Sequence, residues 1–264
     1  MIVRIRSAVI ALALYIPFLL LGGGYYAFAM WVIGIVGLFE FAEMQKLNIV
    51  NHIGFFSVVG LTSLLIPQMY MPEFMNQGNP EYLFYICSLI LLVFTVFNHR
   101  KFNFGHAAIM VFACIYIGYG FRFLILFREM GLETILYLLV VVWSTDSGAY
   151  FVGRKFGSRP LAPEISPNKT VEGMIGGVLT ALFVASIFVA IFQPALGAVN
   201  QVWILTIIVS LFGQFGDLVE SAFKRYFNVK DSGKFLPGHG GMLDRFDSLI
   251  FASFIMMFWI NFFR

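Results

Sequence analysis

The chain has 264 residues, 60% hydrophobic and 12% charged, with 32 phenylalanines and a formal net charge of +3. A soluble domain is about half apolar and about a quarter charged, so with a mean hydropathy of +0.87 water is excluded as the solvent for most of this chain. Long unbroken apolar runs also exclude a β-barrel, whose strands alternate in polarity, and leave an all-α polytopic membrane protein set in a lipid bilayer.

Runs long enough to cross about 30 Å of hydrocarbon fall at residues 7–22, 24–42, 52–71, 82–98, 105–126, 132–152, 172–193, 201–222 and 246–263. They predict about nine transmembrane helices. The first contains Pro17, which membrane helices tolerate when neighbours re-satisfy the freed carbonyl. The start, MIVRIRSAVIALALYIPFLL, has the basic and apolar parts of a signal peptide. Its apolar character runs straight into the next span, so it reads as a helix. Cys87 and Cys114 sit inside spans and offer neither a disulfide framework nor a zinc spacing.

Charge fixes the expected orientation. With nine spans, one side collects Arg4, Arg6, Lys46, Arg100, Lys101, Arg154, Lys155, Arg159, Lys169, Lys224, Arg225, Lys230, Lys234 and Arg245. The other side has Arg122, Arg128 and Arg264. The positive-inside rule then puts the N-terminus in the cytoplasm and the C-terminus outside.

Residues 1–130 (spans 1 to 5) read as transmembrane scaffold. Glu40, Glu43, His52, His99 and His106 lie near predicted membrane borders and read as interfacial or capping residues. Residues 131–264 read as the catalytic half, with polar residues gathered toward one face. WSTDSGAYFVGRKFG (143–157) carries Asp146 about two turns from the end of its helix. SPNKT (166–170) reads as a turn into span 7, placing Lys169 where exposed helix N–H groups favour an anion, with Glu172 in the first turn.

The densest polar stretch is 212–248. Asp217, Glu220, Ser221 and Lys224 fall at i, i+3, i+4 and i+7, one face of a helix. Ionisable groups at membrane depth are expensive and mark a functional site or a buried pair. Asp244 and Asp247, one turn apart at the start of span 9, suit a hard cation. Mg²⁺ is usually held by one or two carboxylates plus substrate phosphates. Helix-start carboxylates favoured by the macrodipole are the structural alternative. Between the two helices Lys224, Arg225, Lys230, Lys234, His239 and Arg245 alternate with Gly233, Gly238, Gly240 and Gly241. Glycines let backbone N–H groups approach an anion, and lysine and arginine balance phosphate charge. No GxxxxGK[ST] pattern occurs. The residue types point to metal-dependent transfer of a phosphate-containing group at the membrane surface, without choosing the nucleotide.

The run SAFKRYFNVKDSGKFLPGHGGMLDRFDS (221–248) resembles the signature of CDP-diacylglycerol synthases, the phosphatidate cytidylyltransferases. It matches at Ser221, Lys224-Arg225, Lys230-Asp231, Gly233, Pro237, His239-Gly240-Gly241, Asp244-Arg245 and Asp247. Asp146, GRKFG (153–157), SPNKT-x-EG (166–173) and GD-x-x-ES (216–221) also resemble the family. The resemblance implies CTP plus phosphatidic acid giving CDP-diacylglycerol and pyrophosphate, with Mg²⁺, room for a second cation, a homodimer and no nucleic-acid partner. It suggests Asp217, Asp244 and Asp247 as metal ligands, and Lys224, Asp244, Asp231 and His239 as catalytic candidates. Lys169, Ser221, Lys224, Arg225, Lys230, Arg245, Gly240 and Gly241 are candidates for the phosphates, and Asp146, Glu172 and Glu220 are further candidates. His239 is expected to donate to phosphate rather than act as a base, because a phosphate dianion needs little deprotonation.

Rival readings are a CTP-dependent polyprenol or dolichol kinase, an ion-coupled transporter using Asp146 and Asp217, and an inactive scaffold. CDP-alcohol phosphotransferases carry DG-x-x-AR and aspartates four apart, whereas Asp244 and Asp247 are three apart.

Overall fold

A computed structural model describes residues 2–71, 73, 78–233, 235 and 240–263, with the backbone alone over 2–10. In chain order the elements are α1 (Ile2–Leu21), α2 (Gly23–Met44), α3 (His52–Leu65), a single 3₁₀ turn (Gln68–Tyr70), α4 (Pro80–Phe97) and α5 (Phe104–Glu129). There follow α6 (Leu132–Phe156), β1 (Pro160–Ala162), β2 (Ser166–Thr170), α7 (Val171–Phe192), α8 (Val199–Tyr226) and α9 (Leu243–Phe263). Each of the nine expected apolar runs contains a helix. Among the described residues, seven helices are long and apolar enough to cross a membrane: α2 and α4 to α9. The protein is an all-α, multi-pass membrane protein.

Two expectations change in detail. The third apolar run stops as a helix at Leu65. Ile66 is extended (ψ 121°), as a residue before proline is pushed to be, and Pro67 leads into the 3₁₀ turn. At 14 residues α3 is about 21 Å long, short of the hydrocarbon thickness. SPNKT is not a turn but a strand: β2 pairs antiparallel with β1, Pro160 opposite Thr170 and Ala162 opposite Ser166. The hairpin satisfies backbone groups that Pro167 keeps out of a helix.

The chain forms two compact units. The first comprises residues 1–126 and 231–244. Its helices meet where side chains are small. A Cβ at Gly34 would lie 2.5 Å from a Leu65 methyl, and one at Gly118 2.9 Å from Leu64 Cβ. Polar side chains inside it find partners: Trp31 Nε1 donates to Thr62 Oγ1 at 2.9 Å, and Tyr119 Oη to Glu81 Oε1 at 2.8 Å. Asn51 and Asn79 cap α3 and α4 through their side-chain oxygens. Cys87 and Cys114 are free and buried.

The second unit comprises residues 127–230 and 245–264. Its tightest crossing is α6 on α7. A Cβ at Gly148 would sit 2.6 Å from Thr180 Cβ, one at Gly176 2.5 Å from Val152, and one at Gly177 2.8 Å from the Thr145 carbonyl oxygen. Small residues let membrane helices approach backbone to backbone. The outer side of α7 is left to lipid, with Leu179, Phe183 and Ile191 61 to 69% exposed. Hydroxyls join α6 to α8: Tyr137 Oη lies 2.7 Å from Thr206 Oγ1, and Thr145 Oγ1 donates to Ser210 Oγ at 2.8 Å. Gly177→Val would force the α6–α7 crossing open, because its blocking atom is backbone. We expect a loss of about 1–3 kcal/mol, read as a lower melting temperature in detergent.

Candidate active site

Four elements of the second unit carry the site. Asp146 lies on α6, Lys169 on β2, Asp217 to Arg225 on the last turns of α8, and Asp247 on the first turns of α9. Lys169 Nζ stands 2.7 Å from Asp217 Oδ2, with the two side chains 28% and 36% exposed. Ser221 Oγ, one turn on, donates to Asp217 Oδ1 at 3.4 Å. Asp247 lies within electrostatic reach of Asp217, Lys224 and Asp146. Asp146 in turn is within reach of Asp217 and Lys169. Three carboxylates and two ammonium groups thus share one neighbourhood.

Local structure explains the convergence. Thr170 caps α7 by accepting from Gly173 N at 3.1 Å, which sets Lys169 immediately before the cap residue. Gly216 admits the backbone of α9: a Cβ there would lie 2.6 Å from Phe251 Cβ and 2.8 Å from the Asp247 carbonyl oxygen. The glycine before Asp217 therefore lets Asp247 come alongside. The signal present was the GD pair itself, read only as part of a motif.

The other candidates divide by what they touch. Lys224 Nζ lies 3.4 Å from Glu220 Oε1, with the side chains 10% and 4% exposed, a buried pair one turn apart. Arg225 donates through Nε to the Ile165 carbonyl at 3.3 Å and through Nη1 to the Val229 carbonyl at 3.0 Å, tying α8 to the neighbouring loops. Glu172 accepts from Ser158 N, Ser158 Oγ and Arg159 N at 3.0, 2.8 and 3.2 Å. It holds the connection after α6 against the start of α7. Lys230 is exposed at the end of this part of the unit, and so is Arg245 in the first turn of α9.

Asp231, Gly240, Gly241 and Asp244 belong to the first unit. Asp231 is exposed. Asp244 Oδ2 accepts from Ser232 N at 3.0 Å, Ser232 Oγ at 3.1 Å and Gly241 N at 2.8 Å. Gly240 has φ +83°, and a Cβ there would meet Asp244 Oδ2 at 2.6 Å. His239 and Lys234 lie outside the described residues. Asp244 and Asp247 are one turn apart on α9, as their spacing predicts.

The donor chemistry fits a hard divalent ion held with help from substrate. Asp146, Asp217 and Asp247 offer only oxygen, and a cation already stands against Asp217 in the form of the Lys169 ammonium. Among the described residues, however, no three His, Cys, Asp or Glu side chains are grouped closely enough to hold a metal ion by themselves.

Residues 2–263 match the cytidylyltransferase family. The chain is 42% identical over 253 residues to a protein of Staphylococcus haemolyticus named phosphatidate cytidylyltransferase, covering 95% of each. It is 41% identical over 258 residues to the Bacillus subtilis protein of that name, covering 97% of this chain and 96% of the relative. It is also 43% identical over 250 residues to that of Staphylococcus saprophyticus, covering 95% of each. Matched along nearly its whole length, the chain belongs to the cytidylyltransferase family.

Proposed function

We propose that the protein transfers the cytidylyl group of CTP to phosphatidic acid, releasing pyrophosphate and forming CDP-diacylglycerol for phospholipid synthesis. The observation that carries this reading is the likeness to proteins named phosphatidate cytidylyltransferase over 95% or more of the chain. A carboxylate and lysine cluster on apolar helices supports it. A phosphate oxygen of phosphatidate attacks the α-phosphorus of CTP. The bond from that phosphorus to the oxygen bridging it to the β-phosphorus breaks, and pyrophosphate departs with the electron pair. No proton need be removed from a phosphate dianion.

In this reaction positioning and charge neutralisation supply most of the rate. Asp217 and Asp247, with Asp146 beside them, would hold Mg²⁺, and Asp244 is the further ligand expected from the motif. A bound Mg²⁺ supplies charge neutralisation on phosphate oxygens, worth several kcal/mol in such sites. Lys169, 28% exposed, would exchange Asp217 for a phosphate oxygen when nucleotide arrives, a role its ion pair with Asp217 supports. Lys224, Arg225, Lys230 and Arg245 supply further positive charge. The excess of basic residues on one side supports a cytoplasmic-facing site in a bacterial cytoplasmic membrane, where CTP is available.

Purified protein in mixed micelles with phosphatidate, Mg²⁺ and CTP labelled at the α-phosphorus should place the label in lipid and release unlabelled pyrophosphate. Label carried to lipid only from the γ-phosphorus would identify a lipid kinase instead and overturn the proposal.

A further inference from the structure

Glu40 is buried, 4% exposed, in the apolar helix α2. A lone border carboxylate is ordinarily interfacial. Here its Oε1 accepts from Met242 N at 2.6 Å, and its Oε2 accepts from Leu243 N at 2.9 Å and from Ser232 Oγ at 3.0 Å. All these residues belong to the first unit. Leu243 is the first residue of α9, so a side chain about 200 positions earlier accepts a hydrogen bond from the start of that helix. The negative charge also suits a helix N-terminus.

The glycines of the loop make room for this carboxylate. A Cβ on Gly233 would lie 2.7 Å from Glu40 Oε1, and one on Gly241 2.6 Å from Glu40 Oε2. Glu40 therefore lies against Ser232 and Gly233 on one side and Gly241, Met242 and Leu243 on the other. The Ser232 hydroxyl lies between two carboxylates, 3.0 Å from Glu40 and 3.1 Å from Asp244. Having one proton, it can donate fully to only one of them. Ser232 N and Gly241 N complete the hold on Asp244.

We propose that Glu40 is a positioning residue for nucleotidyl transfer. It ties Ser232 to Met242 and Leu243 and thereby fixes Asp244 on the first turn of α9. A carboxylate kept buried and held by three donors calls for such a use. Its effect on catalysis rests on the cytidylyltransferase reading, while the clamp itself does not.

Glu40→Gln keeps size and one acceptor but turns an amide NH₂ toward backbone donors. The expected result is a kcat about 10- to 100-fold lower, the usual cost of losing a group that orients a metal ligand. The Mg²⁺ concentration for half-maximal rate should rise, and KM for phosphatidate should stay within about twofold, since uniform substrate binding is untouched. Hydrogen exchange at residues 241–243, measured without metal or nucleotide, should be at least about tenfold faster, as local opening becomes easier. Glu40→Asp should recover part of the rate. If Glu40→Gln does not fold, Ser232→Ala decides, with the same directions expected. Wild-type kcat together with wild-type exchange in the folded variant overturns the proposal. So does a loss of rate that tracks the folded fraction with no change in Mg²⁺ requirement or in exchange at 241–243. Wild-type protein lacking cytidylyl transfer would sink the functional reading alone, and exchange in the variant would then decide the clamp.

Discussion

Asp217→Asn lowers kcat by about 10³-fold or more while the protein still inserts and melts near the wild-type temperature. The rate effect follows from charge. Asp217 sits with Asp146 and Asp247 beside Lys169, and removing its anion withdraws part of the group that would hold the metal against phosphate. Several kcal/mol of lost neutralisation corresponds to about a thousandfold in rate. The small stability effect follows from exposure. The Lys169–Asp217 pair is about one third exposed on each side, where such pairs contribute about 0–1 kcal/mol. Losing it is partly offset by relief of repulsion among three carboxylates. Steady-state turnover in micelles and a thermal melt of the same preparation check both halves. Wild-type turnover would remove Asp217 from the mechanism, and collapse of the fold would make it structural.

Lys224→Met behaves differently. Lys224 and Glu220 are 10% and 4% exposed, and Lys224 also lies within reach of Asp247. Breaking a buried pair by deleting one partner costs about 3–5 kcal/mol. The single variant should therefore be poorly stable as well as inactive. Pairing it with Glu220→Gln removes the buried charge mismatch and should restore most of the melting temperature. Activity should not return, because the positive charge beside Asp247 is still missing. If the double variant regains wild-type turnover, Lys224 serves only to neutralise Glu220, and its role toward phosphate is withdrawn.

These two residues mark what could be read from the sequence. Asp217, Glu220, Ser221 and Lys224 are legible because helical spacing alone puts them on one face, and the structure keeps them on one turn-by-turn column of α8. The apolar runs are legible because hydrocarbon sets a minimum length and forbids unpaired backbone. The end of α3 was missed by a few residues because hydropathy continues through Ile66 and Pro67 while backbone geometry does not. The β1–β2 hairpin was missed because a three-residue and a five-residue strand, each with a proline, leave no periodicity to count.

Long-range roles were the least legible. Glu40 looked like one more border carboxylate, since sequence spacing reports neighbours within a few turns and its partners are at 232, 242 and 243. Its position inside a span was the only available signal. The glycines at 233 and 241 were read as room for a bound phosphate. The structure gives them a second reason: they border the Glu40 carboxylate, and the Gly241 N–H is directed at Asp244. Gly216 was likewise visible only as a motif letter, because its purpose is the approach of another helix.

One carboxylate cluster holding metal and nucleotide together would show itself in cation binding. Mn²⁺, a hard oxygen-seeking cation, can be titrated into the purified protein with and without CTP and followed by electron paramagnetic resonance. Binding should be saturable in the wild type and tighten with CTP, and it should be lost in Asp217→Asn and in Asp247→Asn. Equal, CTP-enhanced binding in the wild type and both variants would contradict such a cluster.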